Sequence, residues 1–426
     1  MFVDAIDSGP MNQLDQAVAR AHEDYVHRHP RSAALHVRAS EVMPGGNTRS
    51  VLHFDPFPFR VSAAEGAEIT DVDGHTYVDF LGNYTAGLFG HSPALIADAV
   101  QEALRSGFAL GATHTTEIEL AELLCDRFDS LERVRFTNSG TEANLMAIGT
   151  ALHHTGRTGV GVFGGAYHGG VLSFGHEGTH PLNVPHRFVV GRFDDVEGLD
   201  ELFSDTDLGC VIVEAVQGAG GCIPSSPEFL IELSNRCVEH GVVLILDEVM
   251  TSRLDPGGAQ RLYGVQPDLM TLGKYIGGGM TFGAFGGRAD IMAHFEPAAG
   301  GVLTQAGTFN NNIVTMTAAT AAVSQLLDDD RLEDVNRRGD ELRQSLDRVL
   351  RASDVPMWVT GRGSMLTVHA EDDRLLDIYF HAMLDAGNYF ARRGFVALSF
   401  EITDAHCKRL IGETASWIER IHQRVL

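Results

Sequence analysis

The chain has 426 residues, enough for about two or three domains and a large buried core. Hydrophobic residues make up 44% and charged residues 21%, a globular composition rather than a disordered one. The net charge of -25 and the absence of any local basic cluster argue against a nucleic-acid partner. Residues 11–43 carry the pattern of a polar amphipathic helix that stops at Met43-Pro44-Gly45-Gly46-Asn47. Short β-like runs follow between Ala67 and Tyr77, with Asp73-Gly74 as the hairpin turn. A helix is expected from Ser92-Pro93 to Ser106, with serine as cap and proline at the first helical position.

From there strand-like and helical runs alternate. Strands are expected at Arg133–Thr137, Thr158–Phe163, Arg187–Val190, Leu208–Glu214 and Val242–Leu246. Helices are expected from Gly140 to about His153 and over Pro227–His240. The runs Val211-Ile212-Val213 and Val242–Leu246 are continuously apolar, as parallel strands covered on both faces require. The fold class read from this is α/β with a mainly parallel sheet. A long charged helix over Arg331–Ala352, β-like runs at Met365–His369 and Phe395–Phe400, and a helix over Asp404–Leu426 indicate a smaller α+β domain at the C-terminal side. The expected division is an N-terminal segment over 1–75 packing with the small domain, a large domain over 76–324 and a small domain over 325–426.

The five cysteines are scattered, odd in number and never spaced as C-x-x-C, which fits a reducing compartment. The first 30 residues hold no apolar core of signal-peptide length, and no stretch reaches the ~18 apolar residues of a spanning helix. A cytoplasmic protein with no membrane partner is expected. The twenty histidines, among them His153-His154 and His176 with His180, show no acid or cysteine company at metal spacing, so no metal site is expected.

In open α/β sheets ligands sit beyond the carboxyl ends of the strands, and four such places stand out. Thr137-Asn138-Ser139-Gly140-Thr141-Glu142 ends a strand and opens a helix, which suits either an anion or a plain capping turn. Asp247-Glu248 ends a buried strand, where two acids need a cationic or hydrogen-bonding partner; a structural acid pair fits as well. Lys274 stands between an apolar run and Gly277-Gly278-Gly279, suited to a Schiff-base lysine or to a surface loop. Gly164-Gly165-Ala166-Tyr167-His168-Gly169 presents an aromatic ring that would lie flat on a planar ligand or simply shape a loop. Gly159-Val160-Gly161-Val162-Phe163-Gly164 fits G-x-G-x-x-G literally, but its glycines fall inside a strand and no helix opens there.

Taken in order, S-G-T-E-A (139–143), G-x-Y-H-G (165–169), V-E-x-V-Q-G (213–218), L-D-E-V-M-T (246–251), L-G-K-x-I-G-G-G (272–279) and A-G-T-F-N-N-N (306–312) resemble the class III pyridoxal-phosphate aminotransferases of fold type I. The likeness runs from Pro44-Gly45-Gly46 to the terminal helix. It implies pyridoxal 5′-phosphate as cofactor, with Lys274 as its Schiff-base lysine and proton carrier and Asp247 as partner of the ring nitrogen. It further implies Ser139, Gly140 and Thr141 on the phosphate, Tyr167 stacked on the ring and Glu214 beside it. Thr308 would reach the phosphate of a neighbouring subunit, which implies a homodimer with shared active sites.

Within that family the glutamate-1-semialdehyde aminomutase branch typically reads V-N-S-P-V-R-A-F after Pro-Gly-Gly. Here the segment is Asn47-Thr48-Arg49-Ser50-Val51-Leu52-His53-Phe54, with Leu52 in place of that arginine. Gly82-Asn83-Tyr84-Thr85 lacks the mutase tryptophan, and Arg392-Arg393-Gly394-Phe395 replaces a mutase glutamate by base. These segments look more like the β-amino acid aminotransferases of the β-phenylalanine type. The resemblance thus implies transamination of an aromatic or other hydrophobic β-amino acid with 2-oxoglutarate or pyruvate. Arg49 and Arg393 would clamp carboxylates and Tyr84 would contact the substrate. Two other readings of the chain are glutamate-1-semialdehyde 2,1-aminomutase and a non-catalytic cofactor-binding protein.

Overall fold

The computed structural model describes residues 13–175 and 178–424. His176, residues 11–12 and residues 425–426, which belong to the expectations above, lie outside the described residues. The chain divides into two compact units. One comprises the described residues through Gly82, Glu341–Thr360 and the chain from Leu366 onward; the other comprises Asn83–Asp340 and Gly361–Met365.

The second unit is built on a seven-stranded sheet. Its spatial order is Arg133–Thr137, Gly283–Gly287, Leu269–Gly273, Val243–Asp247, Leu208–Val213, Gly159–Phe163 and Arg187–Gly191. Only Gly283–Gly287 runs against the others, pairing antiparallel with both neighbours, so the sheet is mainly parallel as expected. Both faces are covered: Cys210 and Ile212 join one core cluster with Val243 and Ile245, while Val211 and Val213 join another with Leu244 and Leu246. A period of two along each strand, apolar at every step, is what two buried faces demand.

The helix Gly140–Thr155 lies on the first of these faces. Ser139 caps it by accepting from the Glu142 N–H at 3.2 Å, and Gly156 ends it in the left-handed conformation with φ 67°. Ala143, Ala147 and Ala151 are fully buried and let the helix approach the sheet closely. Pro227–His240 forms with the bounds expected from sequence, capped by Ser226 and closed by Gly241. The strand Gly283–Gly287 was not expected. Its Gly-Ala-Phe-Gly-Gly composition has no side-chain period to read, yet a Cβ at Gly283 would stand 2.2 Å from the Ser139 carbonyl oxygen, so only glycine fits.

In the first unit, Val61–Glu65, Glu68–Asp71 and Thr76–Asp79 form an antiparallel meander, and Asn388–Tyr389 adds to it in parallel. Gly74 turns the expected hairpin with φ 97°. The single N-terminal helix expected over 11–43 is two helices, Gln13–Arg28 and Pro30–Ser40, because Pro30 cannot continue the first one. Asp373–Asp385 packs against Gln13–Arg28. Among the described residues no helix is long and apolar enough to cross a membrane, and the five cysteines are unbridged.

Candidate active site

Five strand ends of the second unit open on one cavity of about 360 Å³, within the ~300–1,000 Å³ usual for small-molecule sites. Ser139, Gly140 and Thr141 follow the strand Arg133–Thr137; Tyr167 and His168 follow Gly159–Phe163; Glu214 follows Leu208–Val213; Asp247 ends Val243–Asp247; and Lys274 follows Leu269–Gly273. All are at carboxyl ends, which explains why residues spread over 136 positions of sequence meet here.

Asp247 is 4% exposed and held from three elements. Its Oδ2 accepts from His168 Nδ1 and from Asn144 Nδ2, each at 2.8 Å, and its Oδ1 accepts from the Val249 N–H at 3.0 Å. Thr271 Oγ1 donates to Asn144 Oδ1 at 2.7 Å and so fixes which end of that amide faces the carboxylate. His168 Nε2 is buried and makes no hydrogen bond. The neighbouring Asp247-Glu248 pair splits in role. Glu248 faces away into the protein, accepting from the Ala259 and Gln260 N–H groups and from Thr251 Oγ1, and burial pushes its carboxyl up to about 7.

Glu214 accepts from the Tyr167 N–H and the Gly218 N–H, both at 3.1 Å. Burial pushes its carboxyl up to about 7, with the Asp247 charge adding to the rise and His168 opposing it. Tyr167 is 42% exposed although it lines a concave wall, so its ring has an uncovered face. Lys274 begins a short helical turn, Lys274–Gly277, with φ 52°, a conformation unusual for a side chain larger than glycine. Backbone strain of this kind concentrates at functional sites. Gly169, with φ 132°, packs flat on Thr141: a Cβ there would stand 2.2 Å from Thr141 Oγ1.

The donor set fits a planar anionic cofactor. A lysine amine, a carboxylate, backbone N–H groups at a capped helix start and an uncovered aromatic face share one cavity. Of the other sequence-derived residues, Tyr84 is buried, and its neighbours Asn83 and Ala86 line the cavity instead. Gly82 through Thr85 all have positive φ, from 47° to 77°. Thr308 is exposed and lies outside the cavity lining. Arg49 and Arg393 are exposed residues of the first unit, and the Arg393 guanidinium lies 5.8 Å from the centre of the Phe395 ring. Sequence reasoning assigned no role to Asn144, Thr271 or Val249, and none to His168 beyond its place in the Gly-rich loop. For His168 the signal was its position beside Tyr167; for Asn144 and Thr271 no local pattern marks them.

Residues 52–417 match the family "Aminotransferase class-III". The chain is 44% identical over 420 residues to the β-phenylalanine transaminase of Variovorax paradoxus, covering 95% of this chain and 96% of that protein. It is 36% identical over 418 residues to the glutamate-1-semialdehyde 2,1-aminomutase of Desulfotalea psychrophila, covering 90% and 97%. The crystal structure of a β-phenylalanine aminotransferase from Variovorax paradoxus superposes with a TM-score of 0.94 at 43% identity, covering 96% of this chain and 98% of the other.

Proposed function

Because this chain belongs to the class III aminotransferases, a family that works through pyridoxal 5′-phosphate, we propose that it transfers the amino group of a β-amino acid, aromatic or otherwise hydrophobic, to 2-oxoglutarate or pyruvate. The observation that carries this reading is the 44% identity to a β-phenylalanine transaminase over 95% of the chain, joined to a cavity that holds Lys274 and Asp247 together.

Bound pyridoxal 5′-phosphate supplies an aldehyde that condenses with amines and a pyridinium ring that takes up the electron pair freed at the amine-bearing carbon. The protein's part is positioning and proton traffic. Asp247, its carboxylate held by His168, Asn144 and the Val249 N–H, would pair with the protonated ring nitrogen. Ser139, Gly140 and Thr141 would bind the phosphate through N–H and hydroxyl donors at the start of the Gly140–Thr155 helix. Tyr167 would cover one ring face. Glu214, poised near neutrality, would hold or release a proton beside the ring substituents. Lys274 would carry the cofactor and move the proton at the substrate carbon.

Arg49 and Arg393 are the proposed carboxylate clamps. A β-amino acid places its carboxylate one carbon further from the amine than an α-keto acid's analogue does, and a guanidinium can grip both bidentately. Tyr84, buried and flanked by the cavity-lining Asn83 and Ala86, is the proposed substrate contact. A homodimer is part of the proposal, with Thr308 reaching the neighbouring cofactor phosphate. Two observations support it: Phe309 is 65% and Phe108 57% exposed, and their loops are tied together by a 2.7 Å hydrogen bond between His114 Nε2 and the Asn311 carbonyl. Exposed apolar loops of this kind suit a second copy of the chain.

Racemic β-phenylalanine incubated with the holoenzyme and 2-oxoglutarate or pyruvate tests the reading. Keto-acid-dependent loss of amine supports it. Isomerisation of glutamate-1-semialdehyde without a keto acid would instead place the chain with the aminomutases.

A further inference from the structure

Outside the cavity, the described residues of the first unit bring histidine and aspartate together twice: His22 with Asp377 and His381, and His29 with Asp71 and His75. In each group one ligand-capable atom per residue lies within 4.8 Å of the other two. These groupings are not visible in the linear spacing, because folding brings their members together from distant positions. His22 and Asp377 are 355 positions apart.

The two groups differ in what their atoms already do. Around Asp71 the polar atoms are engaged. Oδ2 accepts from the Tyr77 hydroxyl at 3.0 Å and meets His75 Nδ1 at 3.0 Å, while Oδ1 accepts from the Asp73 and His75 N–H groups. His29 uses both ring nitrogens, on the Tyr25 carbonyl and the Tyr77 hydroxyl. That cluster is a closed hydrogen-bond network.

The other is open at one atom. His381 is 3% exposed; its Nε2 donates to the Asp55 carbonyl at 3.0 Å, which leaves Nδ1 with the lone pair, buried and without a hydrogen-bond partner. An imidazole whose far N–H is pinned to a backbone carbonyl is the arrangement that orients histidine toward a metal. Asp377 Oδ2 lies 2.7 Å from His22 Nε2, while its Oδ1 is held by Arg392 Nε at 3.0 Å. Asp377 and His381 are one turn apart on the Asp373–Asp385 helix, and His22 comes from the Gln13–Arg28 helix packed against it. His22 is partly exposed, its side chain retaining 23% of its accessible surface, and gives the group an opening to solvent.

We propose that His22 Nε2, Asp377 Oδ2 and His381 Nδ1 form a zinc site with water in the fourth position. Ligand bonds of about 2.0–2.1 Å at tetrahedral angles place donor atoms about 3.3 Å apart. The His22–Asp377 pair thus opens by roughly half an ångström to admit the ion. Zinc displaces the proton between those two atoms: His22 then binds through Nε2 as a neutral imidazole with its proton on Nδ1, and Asp377 binds as the carboxylate. Two imidazoles and one carboxylate favour zinc over calcium or magnesium, which prefer oxygen. The role is to tie the N-terminal helix to the Asp373–Asp385 helix of the same unit.

Tag-free holoenzyme, stripped by chelator and dialysed against micromolar ZnCl₂, tests this by metal analysis. The expected result is one equivalent of zinc per chain, lost in His22→Ala and in His381→Gln and kept in His294→Ala. The last variant controls for the exposed cluster in which His154 Nδ1 and His294 Nε2 lie 3.1 Å apart. Circular dichroism melts of each variant without zinc establish that it is folded, and His22, being partly exposed, tolerates truncation. Zinc should raise the wild-type melting temperature and leave those of His22→Ala and His381→Gln unchanged. No stoichiometric uptake by the wild type, full uptake by both of these variants, or loss only in His294→Ala would each overturn the proposal.

Discussion

His168 contacts Asp247 Oδ2 from Nδ1 at 2.8 Å, and its other ring nitrogen is buried without a hydrogen-bond partner. The imidazole's ring hydrogen bonding is therefore directed at the carboxylate. A hydrogen bond to a charged group contributes about 1.5–3 kcal/mol, or roughly 10–100-fold in rate or affinity. His168→Phe should weaken cofactor binding and lower kcat within that range, whereas a role confined to packing would leave both within about threefold. Titration of apoenzyme with pyridoxal 5′-phosphate, followed by steady-state rates at saturating cofactor, separates the two.

Glu248 is fully buried, and burial pushes its carboxyl up to about 7 in the folded chain from its ordinary 4.5. The folded state thus binds the proton more tightly than the unfolded state. This contribution to stability is fully present below about pH 4.5 and is lost as pH rises through about 7, with a span on the order of 3 kcal/mol. Glu248→Gln removes the titration. The melting temperature of the variant minus that of the wild type should increase from pH 5 to pH 8; a flat difference would contradict the assignment.

Gly169 is required by backbone conformation and by contact with Thr141. Gly169→Ala forces a side chain into φ 132° and against Thr141 Oγ1. Such strain costs about 1–3 kcal/mol. The expected outcome is a lower melting temperature together with weaker phosphate retention. Competition by inorganic phosphate against cofactor rebinding reports the second effect separately.

Arg49→Ala tests the proposed principal carboxylate clamp. If the guanidinium grips substrate alike in ground and transition states, KM for the β-amino acid rises by about 10–100-fold with kcat nearly unchanged. An unaltered KM would remove Arg49 from the substrate site.

Phe309→Asp tests the proposed dimer. A charge on this exposed ring position should shift the protein toward monomer in light scattering after gel filtration. Activity should fall with the monomer fraction if Thr308 serves the neighbouring site. A monomer with full activity would exclude shared sites.

Local chemistry determined much of this protein in advance. Ser226, Pro227 and Gly241 bracket a helix by capping and backbone freedom alone, and the strand Arg133–Thr137 followed by Ser-Gly-Thr-Glu is legible because cap and strand signals lie within a few residues. That Lys274, Asp247 and Ser139 stand at strand ends facing one cavity was also legible, since strand ends mark themselves by a change from apolar to polar residues. Packing decided the rest. Gly283–Gly287 is an interior strand whose neighbours leave no room for a Cβ at Gly283, Gly286 or Gly287, a constraint that glycine does not announce. Asn144, His168 and Thr271 converge around Asp247 from separate elements, and His22 meets Asp377 only when two helices distant in sequence dock. Capping and period act over a handful of neighbouring residues, whereas a buried polar atom finds its partner wherever the fold delivers one.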